Sequence, residues 1–264
     1  MRFFRRPASF RVEERLLEDA EHRLLERCMD RKGHRIRFPA ARTFHIIGRL
    51  TPDLAFRRRY GYGFAEPKRP AVQEEKIPES RAAQARLARA YAGNEDHVVH
   101  VRGPETVGAT ITEGCWGAAR RAVYGTIHQY AEANLTSEYS ALIGLRIGRG
   151  REYQGVPMHR WSRCMAKRGH HYKDLNGPYF DAQYAYQYAD PKPAHVSRRE
   201  IKLAVDDGEC EIAVGLPAIT RRLQDKYVAA LPAKERRRLS SIARVRAEAV
   251  TRARRIVAKY GRGQ

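Results

Sequence analysis

The chain has 264 residues, of which 42% are hydrophobic and 31% charged, with a formal net charge of +21 and an isoelectric point near 10.3. That length allows one large domain or two small ones with a real core, and no apolar run approaches the roughly 18 residues of a membrane span. Such a charge predicts attraction to a polyanion: nucleic acid, acidic polysaccharide, an anionic membrane face or an acidic partner. Arg far outnumbers Lys and Ala is abundant, which a GC-rich genome also writes onto solvated faces, so charge alone leaves both readings open.

Met1 to Phe10 is basic and aromatic, but Arg11 to Glu21 is too charged to be the apolar stretch of a signal peptide. As written, the chain is expected in the cytoplasm; a start codon further upstream would make it exported. A first helix is predicted over about 11–32, with Ser9 as its cap. Val12, Leu16, Leu17, Ala20, Leu24, Leu25, Cys28 and Met29 form its buried stripe. Residues 35–50 read as one or two short strands. Arg57-Arg58-Arg59-Tyr60-Gly61-Tyr62-Gly63-Phe64 interleaves Arg with aromatics and Gly, a composition that can stack on bases and pair phosphates, though a mobile, soluble loop is the preferred reading. Glu66 to Ser80 reads as a linker.

Ser80 to Tyr91 is expected to be helical, and His97 to Val101 is β-prone before a turn at Gly103-Pro104. A helix capped by Thr112 is predicted to run to about Asn134, its glycines tolerated by the close approach of another helix beside Trp116. Thr136 or Ser137 would cap a shorter helix through Leu145. Pro157 suits a first helical turn. Over Tyr172 to Tyr188 strand and helix periodicities compete. Ser197-Arg198-Arg199-Glu200 is a capping box, and the helix it opens is predicted to bury Ile201, Ala204, Val205 and Ile212. Another helix follows through Leu231, and the last runs from Ala233 to Tyr260. Residues 233–264 carry eleven Lys or Arg against two Glu, a net of +9. So basic an amphipathic helix can lie along nucleic acid or an acidic membrane face; the other reading is a terminal helix with a merely soluble outer face.

One stretch occurs twice: Arg27-Cys28-Met29 with Gly33-His34, and Arg163-Cys164-Met165 with Gly169-His170. Leu25 and Trp161 stand three residues before each Cys, which places an apolar residue, Cys and Met on one helical face. Gly five residues after the Cys can end the helix in the left-handed conformation. None of Cys28, Cys115, Cys164 and Cys210 forms Cys-x-x-Cys, so no zinc site is expected. Two disulfides allow three pairings. Equivalence of the two copies favours Cys28–Cys115 and Cys164–Cys210, whereas a reducing cytoplasm would leave buried thiols.

Gly114-Cys115-Trp116-Gly117-Ala118, Trp161-Ser162-Arg163-Cys164-Met165 with Gly169, and Asp206 to Cys210 with Gly215-Leu216 together resemble a family of actinobacterial proteins of unknown function, many of them exported or lipid-anchored. The resemblance covers roughly residues 110–230 and extends to the N-terminal Cys-Met copy. It implies an α-helical fold with paired cysteines and no transferable chemistry. The chain departs from the family in having no recognisable signal peptide.

For catalysis, Cys164 near His159, His170 and His171 offers a thiol and imidazoles, but the Cys shares its helix face with Trp161 and Met165, which points to a structural role. Adjacent His170 and His171 diverge and make a poor metal pair. Asp206, Asp207 and Glu209 are expected to bind Arg groups of the same chain rather than a cation. Gly148-x-Gly150 is not a dinucleotide fingerprint.

The expected fold is mainly α, an irregular multi-helix bundle with minor β content in residues 35–105. Its parts are an N-terminal helix (1–34), a mixed region (35–110) and a helical domain (111–264) ending in a basic helix. The expected function is a non-enzymatic scaffold or interaction protein with no cofactor and no metal. The alternative is a polyanion-binding protein using Arg57, Arg58, Arg59, Arg236, Arg237, Arg238, Arg252, Arg254 and Arg255.

Overall fold

The computed structural model describes residues 7–38, 52–64, 80–94, 96–190 and 195–260. In chain order the elements are α1 (Pro7–Arg31), α2 (Leu54–Tyr60), α3 (Arg81–Ala92), β1 (Val98–Arg102), β2 (Val107–Ile111), α4 (Gly114–Tyr124), α5 (Ile127–Arg149), α6 (Arg151–Gln154), α7 (Val156–Lys167), α8 (Asn176–Gln187), α9 (Arg198–Ala213), α10 (Leu216–Ala229) and α11 (Ala233–Tyr260). The fold is mainly α, and its β content is one antiparallel pair, with Val98 opposite Ile111 and Arg102 opposite Val107. Backbone contacts divide the chain into two interleaved units. One comprises Met1–Phe10, His45–Lys68 and Leu142–Leu231; the other comprises Arg11–Phe44, Arg69–Ala141 and Pro232–Gln264. They are called here the α9 unit and the α1 unit.

In the α1 unit, Leu17 and Ala20 of α1 join Val123, Tyr124, Ala133, Val245, Ala249, Val250 and Ala253 in one core. The alanines of α11 leave room for close helix packing, and α11 lies against α4. A second cluster of Leu25, Met29, Ala90, Cys115 and Ala119 surrounds the Cys28–Cys115 disulfide, whose Cα atoms are 5.5 Å apart. In the α9 unit, α2, α7, α8 and α10 all pack on α9. Trp161 and Met165 are fully buried, and Cys164 is bonded to Cys210 with Cα atoms 5.7 Å apart.

The repeated stretch folds the same way in both units. The His34 N–H reaches back to the Met29 carbonyl at 2.9 Å, and the His170 N–H to that of Met165 at 3.0 Å. Gly33 has φ +83° and Gly169 φ +86°, so each helix ends at a left-handed glycine that returns the chain onto its last turn. Each copy then spends its cysteine on a neighbouring helix of its own unit.

Several local expectations are corrected. α1 begins at Pro7, ahead of Ser9, as proline's fixed φ at a first helical position allows. The Arg57 to Tyr60 stretch is no loop: Asp53 caps α2 by accepting the Phe56 N–H. The helix opened near Thr112 starts after Glu113 and stops at Gly125, φ +99°. α5 then runs straight through Thr136 and Ser137, because their hydroxyls bond back to the Ala133 and Asn134 carbonyls instead of capping a new helix. Within residues 172–188 the helical periodicity prevails, as α8 over Asn176–Gln187. Residues 35–38 are irregular and the rest of the 35–50 strand expectation falls outside the described residues, as does the 66–79 linker. The Ser197 hydroxyl accepts the Glu200 N–H at 3.0 Å, as the capping box requires.

Candidate functional site

The largest departure from the sequence reading lies on α9. Of the expected stripe of Ile201, Ala204, Val205 and Ile212, Ala204 is buried, Ile201 and Val205 are half-buried and Ile212 is 46% exposed. The buried face carries Leu203, Ala204, Asp206, Asp207, Gly208, Cys210 and Glu211. Carboxylates tolerate such burial only when donors are brought to them, and the unit brings them from α2, the turn that follows it and α7. Arg57 of α2 donates through Nη1 to Asp207 Oδ2 at 3.1 Å and to the Ala204 carbonyl at 3.0 Å, and through Nη2 to Glu211 Oε1 at 2.9 Å. Tyr62 donates its hydroxyl to Asp207 Oδ2 at 2.9 Å, and the Trp161 indole N–H reaches Asp207 Oδ1 at 3.0 Å. Gly208 makes the approach possible: a Cβ there would stand 2.8 Å from Arg57 Nη1 and from Leu54 Cδ2.

Burial pushes the Asp207 carboxyl above its ordinary range, against the pull of Arg57, Tyr62 and Trp161. Burial works against the Arg57 charge, but Glu211 and Asp207 more than compensate and raise its pKa. Around this set runs a wetter ring. Asp206 accepts from Arg168 at 2.9 Å, from His170 at 2.9 Å and from Lys202. Burial alone would raise its pKa, and these three donors bring it below the usual carboxylate range. Arg168 also reaches Glu209 at 2.7 Å. Asp206, Asp207 and Glu209 thus bind arginines of their own chain, and the arrangement clamps α2 and α7 to α9.

Arg57 is therefore removed from the polyanion candidates: it is 6% exposed and committed to two carboxylates. Arg58 is exposed and 3.7 Å from Glu209; Arg59 is exposed with its guanidinium 5.1 Å above the Tyr60 ring. On α11, Arg238 is held by Glu132 and the Arg102 carbonyl, and Arg252 by the Val123 carbonyl and Glu248, so both serve packing within the α1 unit. Arg236, Arg237, Arg254 and Arg255 are exposed, and Arg244 and Lys259, not singled out from sequence, are exposed with them. The inner face of the same helix buries Leu239, Ile242, Val245, Ala249, Val250 and Ala253. Cys164 is in a disulfide and offers no thiol to the histidines near it. Among the described residues no helix is long and apolar enough to cross a membrane.

No protein-family model, curated protein or solved structure matches the chain.

Proposed function

We propose that this protein is a non-enzymatic helical scaffold that binds a phosphodiester polyanion, nucleic acid foremost, through the outer face of α11. The observation that carries this reading is the division of that helix: an apolar face is buried while Arg236, Arg237, Arg244, Arg254, Arg255 and Lys259 are exposed, with Glu248 the exposed carboxylate among them. At ~1.5 Å per residue the helix spans roughly 40 Å, long enough to follow several phosphates. A membrane surface is the weaker partner, because the apolar residues exposed on this face are alanines and nothing there inserts among acyl chains. The two disulfides favour an oxidising compartment, in keeping with the resemblance to exported proteins, and they fit a rigid carrier of a binding surface.

The test compares duplex DNA with vesicles rich in anionic lipid, using the intact oxidised chain. DNA is expected to bind and vesicles to bind weakly. Reversing Arg237, Arg244, Arg254 and Arg255 to Glu should weaken DNA binding by at least about a hundredfold, with the helical circular dichroism unchanged. Undiminished binding by that variant would remove α11 from the account.

A further inference from the structure

The α9 unit also holds a cleft of about 440 Å³ beside α8 and the first turn of α9, within the range of small-molecule sites. Its aromatic wall is Tyr172, Tyr184 and Tyr186, and its polar groups include Asp181, Glu200, Arg199 and His170. Three of these polar groups are fixed in advance. The Tyr172 hydroxyl donates to Asp181 Oδ2 at 2.8 Å, Glu200 Oε1 accepts the Tyr62 N–H at 2.9 Å, and His170 is held by Asp206 at 2.9 Å. Orientation of this kind lowers the ordering penalty on binding.

The chemistry narrows the ligand. The lining carries two carboxylates beside one guanidinium and one imidazole, so a phosphate would meet Asp181 and Glu200 and a highly charged guest is disfavoured. Acceptors and donors together beside phenol rings suit a ring with polar hydroxyls around its rim and C–H groups on its faces. The aromatic surface continues outside the cleft. Phe180, Tyr184 and Tyr188 recur every four residues along α8 and are 49%, 57% and 73% exposed; among the described residues they are the exposed large aromatics. The Tyr184 and Tyr188 rings are stacked, within 7° of parallel and with centroids 5.8 Å apart, so each steadies the other, and exposed aromatic surface of this kind is a candidate interaction site.

We infer that this cleft and the stacked tyrosines leading from it form a saccharide-binding site whose ligand is a neutral oligosaccharide, one ring in the cleft and the next against the exposed Tyr188 end of the Tyr184–Tyr188 stack. This goes beyond the polyanion reading, and salt separates the two, weakening polyanion binding and leaving sugar binding unchanged. The experiment is calorimetric titration of the intact oxidised protein with cellotetraose, maltotetraose and tetra-N-acetylchitotetraose. At least one should saturate, with an affinity indifferent to added salt. Tyr184→Ala and Asp181→Asn should each weaken it about tenfold or more. Tyr188→Ala should weaken the tetrasaccharide while leaving the matching disaccharide unchanged. Both tyrosines are exposed, so the fold should survive their loss, as circular dichroism would verify. Failure of all three sugars to saturate, or full affinity in both Tyr184→Ala and Asp181→Asn, would overturn the proposal. Sugar binding that collapsed in salt would do so as well.

Discussion

Arg57 shows most clearly how one residue can organise a unit. Its guanidinium is the cation shared by Asp207 and Glu211, and both carboxylates are nearly inaccessible to water. Replacing it with Met would strand them, and breaking such a buried pair from one side typically costs about 3–5 kcal/mol. Urea unfolding of Arg57→Met should register that loss; a change below about 1 kcal/mol would mean that water already reaches the pair. Gly208→Ala attacks the same contact sterically and should destabilise by about 1–3 kcal/mol. A different residue sets a pH response in the α1 unit. Burial raises Glu21 from 4.5 to about 7, and Arg120, 4.0 Å away, offsets this only in part. The folded carboxyl therefore keeps its proton up to about pH 7, while the unfolded chain releases its own near 4.5. Between those values the folded state binds more protons, so stability falls as pH rises through this window and is level above it. Glu21→Gln should remove that slope and gain on the order of 2 kcal/mol over wild type near pH 8. Equal pH profiles for the two proteins would show that Glu21 is solvated.

The two Gly-terminated helices are the part of the fold that could be read in advance, and the reason is local. A Cys, a Met and an apolar residue at helical spacing, followed by a Gly at fixed distance, specify a buried face and a left-handed cap without reference to anything distant. Gly33 and Gly169 have open space where a Cβ would go, so Gly→Ala at either costs only the backbone term, about 1–2 kcal/mol, measurable as a lowered melting temperature. The disulfides close segments of 87 and 46 residues. Removing either pair, Cys28 with Cys115 or Cys164 with Cys210, should lower stability by about 2–5 kcal/mol. That Asp206, Asp207 and Glu209 take arginines of their own chain was legible, but the burial of Asp206, Asp207 and Glu211 on α9 was not, because an acidic run reads as a solvated patch. Only the arrival of Arg57 and Trp161 from elements 46 to 150 residues away makes burial permissible, and periodicity carries no trace of that. Thr136 and Ser137 misled for a related reason: a hydroxyl that can cap a helix can equally bond back inside one.

At the scale of the molecule, a net charge of +21 is spread unevenly in purpose. Some cations are structural: Arg57, Arg168 and Arg238 each hold carboxylates in place. Others, on α11, face solvent along a single stripe. Composition announced the excess but could not sort it, because assigning an arginine to core or surface requires knowing which helix face is covered. The stripe is the account's functional claim, and salt tests it most directly. Duplex DNA affinity measured across a series of salt concentrations should fall with a log–log slope of about −4 to −5, as the release of counterions by five or so phosphate contacts dictates. The variant reversed at Arg237, Arg244, Arg254 and Arg255 should bind too weakly to follow. A wild-type slope near zero, or the same steep slope and affinity in the variant, would contradict it.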